Sequence, residues 1–185
     1  MKVVETKLKG CFIVEPTVFG DERGYFFESF NKDKFKELTN ITTEFIQDNE
    51  AFSNKGILRG LHFQKGKFAQ AKLVRVVKGK VLDVVVDIRP ESKTFGKHFS
   101  VILSGENKKQ LFVPRGFAHG YSVLEDNTIF CYKCDNIYYP KAEGGIVFND
   151  ETLNIDWKLN EDEIVLSEKD KNLKSLIYYQ IHKYN

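Results

Sequence analysis

Residues 72–88 read Lys72-Leu73-Val74-Arg75-Val76-Val77-Lys78-Gly79-Lys80-Val81-Leu82-Asp83-Val84-Val85-Val86-Asp87-Ile88. Two runs rich in β-branched residues flank a short turn containing Gly79, which predicts a β-hairpin. β-Branched side chains are stiff at χ1 and pack well on a pleated surface, so these runs favour strand over helix. Outward from this stretch the same signal recurs. It predicts strands at 11–14, 25–30, 43–48, 57–63, 98–103, 110–113, 118–124 and 128–133. Glu125-Asp126-Asn127 joins the last two as a second predicted hairpin. Many short strands at near-regular spacing imply a sandwich or closed barrel.

Two segments depart from the β pattern. Residues 31–38 predict one short helix, with Asn31 as N-cap and Phe35 and Leu38 three apart on one face. The tail from 150 to 185 is polar and turn-rich, and Ser167 precedes Asp170 by three, which is capping-box spacing for a helical turn. No shift of composition marks a boundary before about 150. The 185 residues therefore predict a single domain spanning 1–185.

Composition excludes several classes. A net charge of +2, with both signs interspersed, leaves no footprint for nucleic acid. No apolar run approaches membrane-spanning length, and Met1-Lys2-Val3-Val4-Glu5 has no apolar signal core, which predicts a cytoplasmic protein. Three cysteines, an odd number, argue against a disulfide framework. Cys131 and Cys134 form a CxxC, but it lies in a strand-like run with no second ligand pair, so it predicts neither zinc nor redox chemistry.

Chemistry concentrates at 57–72, where Arg59, His62, Gln64, Gln70 and Lys72 interrupt otherwise core-like strand. Burying such groups costs free energy unless each is partnered, so this segment is expected to form one wall of an active site. A lone buried histidine is more often a satisfied core residue than a catalyst. Here Lys72 and Gln64 share its segment, His119 stands in a second motif, and the tail offers carboxylates. A carboxylate orients an imidazole and makes it more basic, as a general base near neutral pH requires.

Pro114-Arg115-Gly116-Phe117-Ala118-His119 resembles the second motif of the cupin superfamily of small β-barrels, or jelly rolls. Metal-binding cupins carry His-x-His and then an acidic ligand in the first motif. This chain has His62-Phe63-Gln64, then Gln70 and Lys72. A lysine ammonium repels a cation, so no metal site is expected. Six blocks then extend the likeness along nearly the whole chain: Asp21 to Phe26, Gln47 to Asn49, Leu58 to Gln64, Asp83 to Arg89, Gly116 to Gly120 and Ser167 to Asp170. In that order they resemble the dTDP-4-dehydrorhamnose 3,5-epimerase family, which are cofactor-free sugar-nucleotide epimerases.

The resemblance implies a mostly β, cupin-type jelly-roll barrel and a dTDP-linked 4-keto-6-deoxyhexose substrate. It implies His62 as base, Asp170 as its orienting carboxylate, Tyr132 as acid on the opposite face, and Lys72 with His119 at the enolate oxygen. Arg23 and Arg59 would hold the diphosphate. Gln47, Asn49 and Glu28 would lie at the deoxythymidine end, Tyr138 would stack on thymine, and Glu143 and Lys169 would make outer contacts. No cofactor is implied. A homodimer is implied, with N-terminal strands within 1–50 reaching across the interface. A mono-epimerase acting on another dTDP-4-keto-deoxysugar, and a non-catalytic sugar-nucleotide-binding cupin, remain open at this point. Two features depart from simple expectation. The family's aromatic pair is replaced by Ile137-Tyr138-Tyr139. Strict alternation also sets Arg59 and His62 on opposite strand faces unless Gly60 permits a bulge.

Overall fold

Thirteen short strands make up most of the regular structure in the computed structural model, which describes residues 1–182. They are β1 (Lys2–Glu5), β2 (Phe12–Glu15), β3 (Val18–Asp21), β4 (Gly24–Phe27), β5 (Gln47–Ser53), β6 (Leu58–Gln64), β7 (Lys72–Lys78), β8 (Lys80–Asp87), β9 (His98–Ser104), β10 (Gln110–Val113), β11 (Phe117–Val123), β12 (Thr128–Cys134) and β13 (Glu143–Gly145). The α-helices are α1 (Lys32–Thr39), α2 (Glu168–Lys171) and α3 (Leu176–Ile181). A six-stranded sheet runs β1-β2-β10-β7-β12-β5, and a five-stranded sheet runs β13-β6-β11-β8-β9. The strands β3 and β4 form a separate ribbon. Among the described residues no strand of one large sheet is hydrogen-bonded to the other, so the expected barrel is two open sheets packed face to face.

The two strands of 72–88 do not form the predicted hairpin. β7 pairs with β10 and β12 in one sheet, whereas β8 pairs with β9 and β11 in the other. The second predicted hairpin fails in the same way, because β11 and β12 belong to opposite sheets. A tight turn has the same local chemistry whether the chain folds back within its sheet or steps to the facing one. Gly79 turns the first corner with φ +79°, and a Cβ there would stand 2.1 Å from Thr128 Oγ1. Only glycine fits.

Burial explains the near-continuous apolar run of β8. Its inward residues Val81 and Val85 pack with Val74, Val76, Leu111 and Phe130 between the sheets. Its outward residues Leu82, Val84 and Val86 are covered by Leu153, Trp157, Leu176 and Tyr179 of the C-terminal segment. A strand buried on both faces loses the polar alternation of a surface strand. The six-stranded sheet is covered on its outer face by α1, whose Phe35 packs on Val14, Leu73 and Phe112. Removing such a ring from water is worth about 1.5–3 kcal/mol. Asn31 caps this helix as predicted, its side chain accepting from Lys34 N at 3.1 Å.

Other boundaries differ. The strand predicted at 43–48 begins at Gln47, and the one predicted at 25–30 ends at Phe27. β1, β3, β13 and α3 carry no strong sequence signal and are set by pairing and packing. No helix is long and apolar enough to cross a membrane among the described residues.

Candidate active site

At one end of the space between the sheets, the apolar interior gives way to a polar cavity of about 610 Å³. Each sheet supplies one wall. On the five-stranded sheet, His62 of β6 lies directly opposite His119 of β11. Between His62 and Arg59 the register shifts: three residues of β6 are spanned by two of β11. That bulge puts Arg59 and His62 on the same cavity despite their odd spacing. Gly60 permits it with φ +116°, and a Cβ there would lie 2.7 Å from Gly120 Cα and 2.8 Å from His119 O.

Both imidazoles are held by carboxylates. His62 Nε2 donates to Asp170 Oδ1 at 2.5 Å, leaving Nδ1 as the acceptor of the neutral ring. Burial opposes ionisation of Asp170, but the hydrogen bond from His62, the Ser167 hydroxyl and the nearby Lys169 charge outweigh it and hold the carboxyl below its usual range. His119 Nε2 donates to both oxygens of Asp83 at 3.0 Å. Asp83 is wholly buried, and burial pushes its carboxyl upward against the pull of His119 and Lys72.

The facing wall comes from the six-stranded sheet. Tyr132 and Cys134 of β12 pair with Asn49 and Gln47 of β5, and Cys134 also pairs with Lys72 of β7. All five side chains line the cavity. Lys72 Nζ lies 5.9 Å from the Tyr132 ring centroid. Lys72 is half-buried by surface, yet the protein around its ammonium is dense enough that burial pushes its pKa down. Burial likewise pushes the Tyr132 phenol up, so it stays protonated and can donate. Gln47 Nε2 donates to Asn49 Oδ1 at 2.9 Å, which fixes the amides as a pair.

The rim is a carboxylate clamp. Glu143 of β13 accepts from Tyr138 Oη and from Lys169 Nζ, each at 2.8 Å. Burial works against the Glu143 charge, but these two donors prevail and its pKa lies below the ordinary value. Arg59 Nη2 donates to Ser53 Oγ at 3.3 Å, and the side chain is exposed at the cavity.

The sequence profile of the dTDP-4-dehydrorhamnose 3,5-epimerase family matches residues 5–177. This chain belongs to that family. The enzyme of that name from Escherichia coli K12 is 49% identical over 176 residues, covering 95% of each chain. The solved structure of the epimerase from Elizabethkingia anophelis NUHP1 superposes with a TM-score of 0.93 at 55% identity, over 97% of this chain and 98% of that one. The epimerase of Legionella pneumophila, solved with dTDP-4-keto-L-rhamnose, gives a TM-score of 0.93 at 47% identity, over 98% and 95%.

Among the residues that the epimerase resemblance singles out, the cavity brings together Gln47, Asn49, Arg59, His62, Lys72, His119, Tyr132, Tyr138, Glu143, Lys169 and Asp170. It does not bring in Arg23 or Glu28. Arg23 sits in the turn of the β3–β4 ribbon, exposed and ion-paired with Asp21. Glu28 follows that ribbon and pairs with Lys34 Nζ of α1 at 2.9 Å. Sequence reasoning missed Asp83 as the partner of His119, although a lone carboxylate inside an apolar strand already demands a buried partner. It also missed Ser53 and the cavity position of Cys134. Cys131 and Cys134 point to opposite faces of β12, with Cys131 turned outward toward Glu50. Among the described residues no three of His, Cys, Asp and Glu gather in a way that would hold a metal.

Proposed function

We propose that this chain inverts C3 and C5 of dTDP-4-dehydro-6-deoxy-D-glucose, giving dTDP-4-dehydro-L-rhamnose. The ketone at C4 acidifies the protons on both neighbouring carbons. Inversion needs a base on one face, an acid on the other and a donor at the enolate oxygen. The observation that carries this reading is a carboxylate-held imidazole on one sheet facing a protonated phenol on the other, in one cavity. His62 takes the proton, and Asp170 orients the ring and stabilises the imidazolium. Tyr132 returns a proton from the opposite face. Lys72 and His119 donate to the developing enolate. Acid–base groups give about 10²–10⁴-fold each and an oxyanion donor about 10²–10³-fold, so together with positioning they reach enzymatic rates of about 10⁶-fold or more. No step in this scheme calls on a metal or redox cofactor.

Arg59 suits the diphosphate, whose geometry matches a guanidinium fork. Gln47 and Asn49 suit the pyrimidine edge, and Tyr138, with Glu143 and Lys169, suits the thymine and outer contacts. The chain works as one cupin-like domain over 1–185, as a cytoplasmic homodimer without nucleic-acid or membrane partners. Three free cysteines suit a reducing compartment. The β3–β4 ribbon exposes Phe19, Tyr25 and Phe26, a surface fit to lie against a partner subunit and deliver Arg23 and Glu28 to its cavity. Arg23→Ala is then expected to raise KM about tenfold or more, the worth of a charged hydrogen bond, with kcat held.

The direct test is deuterium incorporation from solvent into dTDP-4-dehydro-6-deoxy-D-glucose, followed by NMR. Exchange at both C3 and C5 with inversion is expected. Exchange at one carbon alone would reassign the chain as a mono-epimerase. Folded protein that exchanges neither carbon would refute the epimerase reading.

A further inference from the structure

The geometry points to Ser167 as a positioning residue for the catalytic base, acting through Asp170. This rests on the reading of His62 and Asp170 above. Asp170 is carried on α2, a helix of only four residues. A single turn has almost no intrinsic stability in water, because nucleation fixes several dihedrals for one hydrogen bond. Something else must hold it.

Two flanking bridges fasten the segment at its ends. Val165 forms a parallel bridge with Ile57, with Val165 N donating to Gly56 O at 2.9 Å and Leu58 N to Val165 O at 3.0 Å. Lys174 bridges Ile146, and Val147 N donates to Lys174 O at 2.9 Å. Between these anchors eight residues run without a strand partner. Within them the turn is closed by Lys171 N donating to Ser167 O at 3.2 Å and Asn172 Nδ2 to Glu168 O at 2.7 Å, and the side-chain hydrogen bond that reaches the backbone of Asp170 itself is from Asp170 N to Ser167 Oγ at 3.1 Å. The residue whose backbone is clamped is therefore the one whose carboxylate meets His62. Ser167 itself lines the cavity, so its hydroxyl and the dyad share one wall.

The cap has a second effect. Its oxygen lowers the cost of ionised Asp170 by fixing the carboxylate where His62 can donate to it, and Asp170 is nearly fully buried, with little water to replace a lost contact. Without the cap, the turn relaxes and the 2.5 Å contact to His62 lengthens. Small misplacements of catalytic groups cost up to about 10²-fold.

The test compares Ser167→Ala, Ser167→Thr and Asp170→Asn, alone and with Ser167→Ala added to Asp170→Asn. The readouts are single-turnover deuterium exchange, kcat and KM for dTDP-4-dehydro-6-deoxy-D-glucose, dTDP binding and thermal unfolding. Ser167→Ala is expected to lower kcat and single-turnover exchange about tenfold with dTDP binding kept, and Ser167→Thr, which can still cap, to restore most of it. In the Asp170→Asn background, Ser167→Ala is expected to add little, since two residues acting through one contact are non-additive. Exchange by Ser167→Ala equal to the parent overturns the inference while leaving the dyad reading intact. So does a full additional tenfold loss in the Asp170→Asn background. Asp170→Asn exchanging like the parent removes the dyad reading, and the inference with it.

Discussion

The two walls of the cavity are built on different electrostatic plans. On the five-stranded sheet each imidazole is tied to a buried carboxylate, His62 to Asp170 and His119 to Asp83. On the six-stranded sheet, Lys72 and Tyr132 have no ion-pair partner among the described residues and meet each other only through ring and charge. The first wall is complete without substrate. On the second, Lys72 and Tyr132 are donors with no carboxylate partner among the described residues and face the open cavity, ready for an acceptor. An enolate oxygen is such an acceptor, and the fixed donors pay no reorganisation when it forms. The difference separates orientation of the base from recognition of developing charge.

His62→Ala tests the first wall most severely. Exchange at both carbons should fall by about 10²–10⁴-fold or more, with dTDP binding retained by calorimetry. Retained exchange would take His62 out of the base role. Tyr132→Phe tests the facing wall and should split two signals. Inversion should fall by about 10²–10⁴-fold, whereas His62 can still return a solvent deuteron to the face it came from. Exchange without inversion, seen by NMR, is the expected outcome; parallel loss of both would place Tyr132 elsewhere in the scheme.

Lys72→Met separates function from stability on that same wall. It should cost about 10²–10³-fold in kcat, as loss of an oxyanion donor does. The melting temperature should not fall, because a desolvated ammonium without a paired carboxylate is replaced by an apolar chain of similar length. A marked fall would mean that Lys72 is structural.

The smallest expected effect is the pH dependence of stability at Asp170. Its folded pKa lies below the ordinary 3.8, so it stabilises the folded state above that value, and the contribution is lost as pH falls through the folded pKa. Asp170→Asn should therefore melt lower than the parent near neutrality, and the two curves should converge in acid below 3.8. A gap that stays constant with pH would mean that the carboxylate charge contributes nothing to stability.

Much of this was legible in the chain. β-Branched runs located most strands because their side chains have few alternatives to a pleated surface. Asn31 announced α1, and Ser167 announced α2, because capping is local chemistry. Polar residues crowded into 57–72 marked the cavity because burial makes them expensive. The connection of strands was not legible, since Gly79 and Asn127 turn corners with the chemistry of hairpins. Asp83 was hidden inside an apolar run whose partner lies 36 residues away. Arg23 and Glu28 fit the family pattern in sequence but sit on a ribbon outside this chain's own cavity.

The corner at Gly79 has a kinetic consequence. From β5 onward successive strands, the β8–β9 pair excepted, fall alternately in the two sheets, so no stretch of chain makes up either sheet without strands of the other. β7 must wait for β12, and β8 for β11, before either sheet can close around its centre. Loop-closure entropy is then spent before long-range pairing repays it, which places folding in the slow class of about milliseconds to seconds. The same interleaving means that the catalytic walls cannot assemble one at a time: base and acid come into being in a single event.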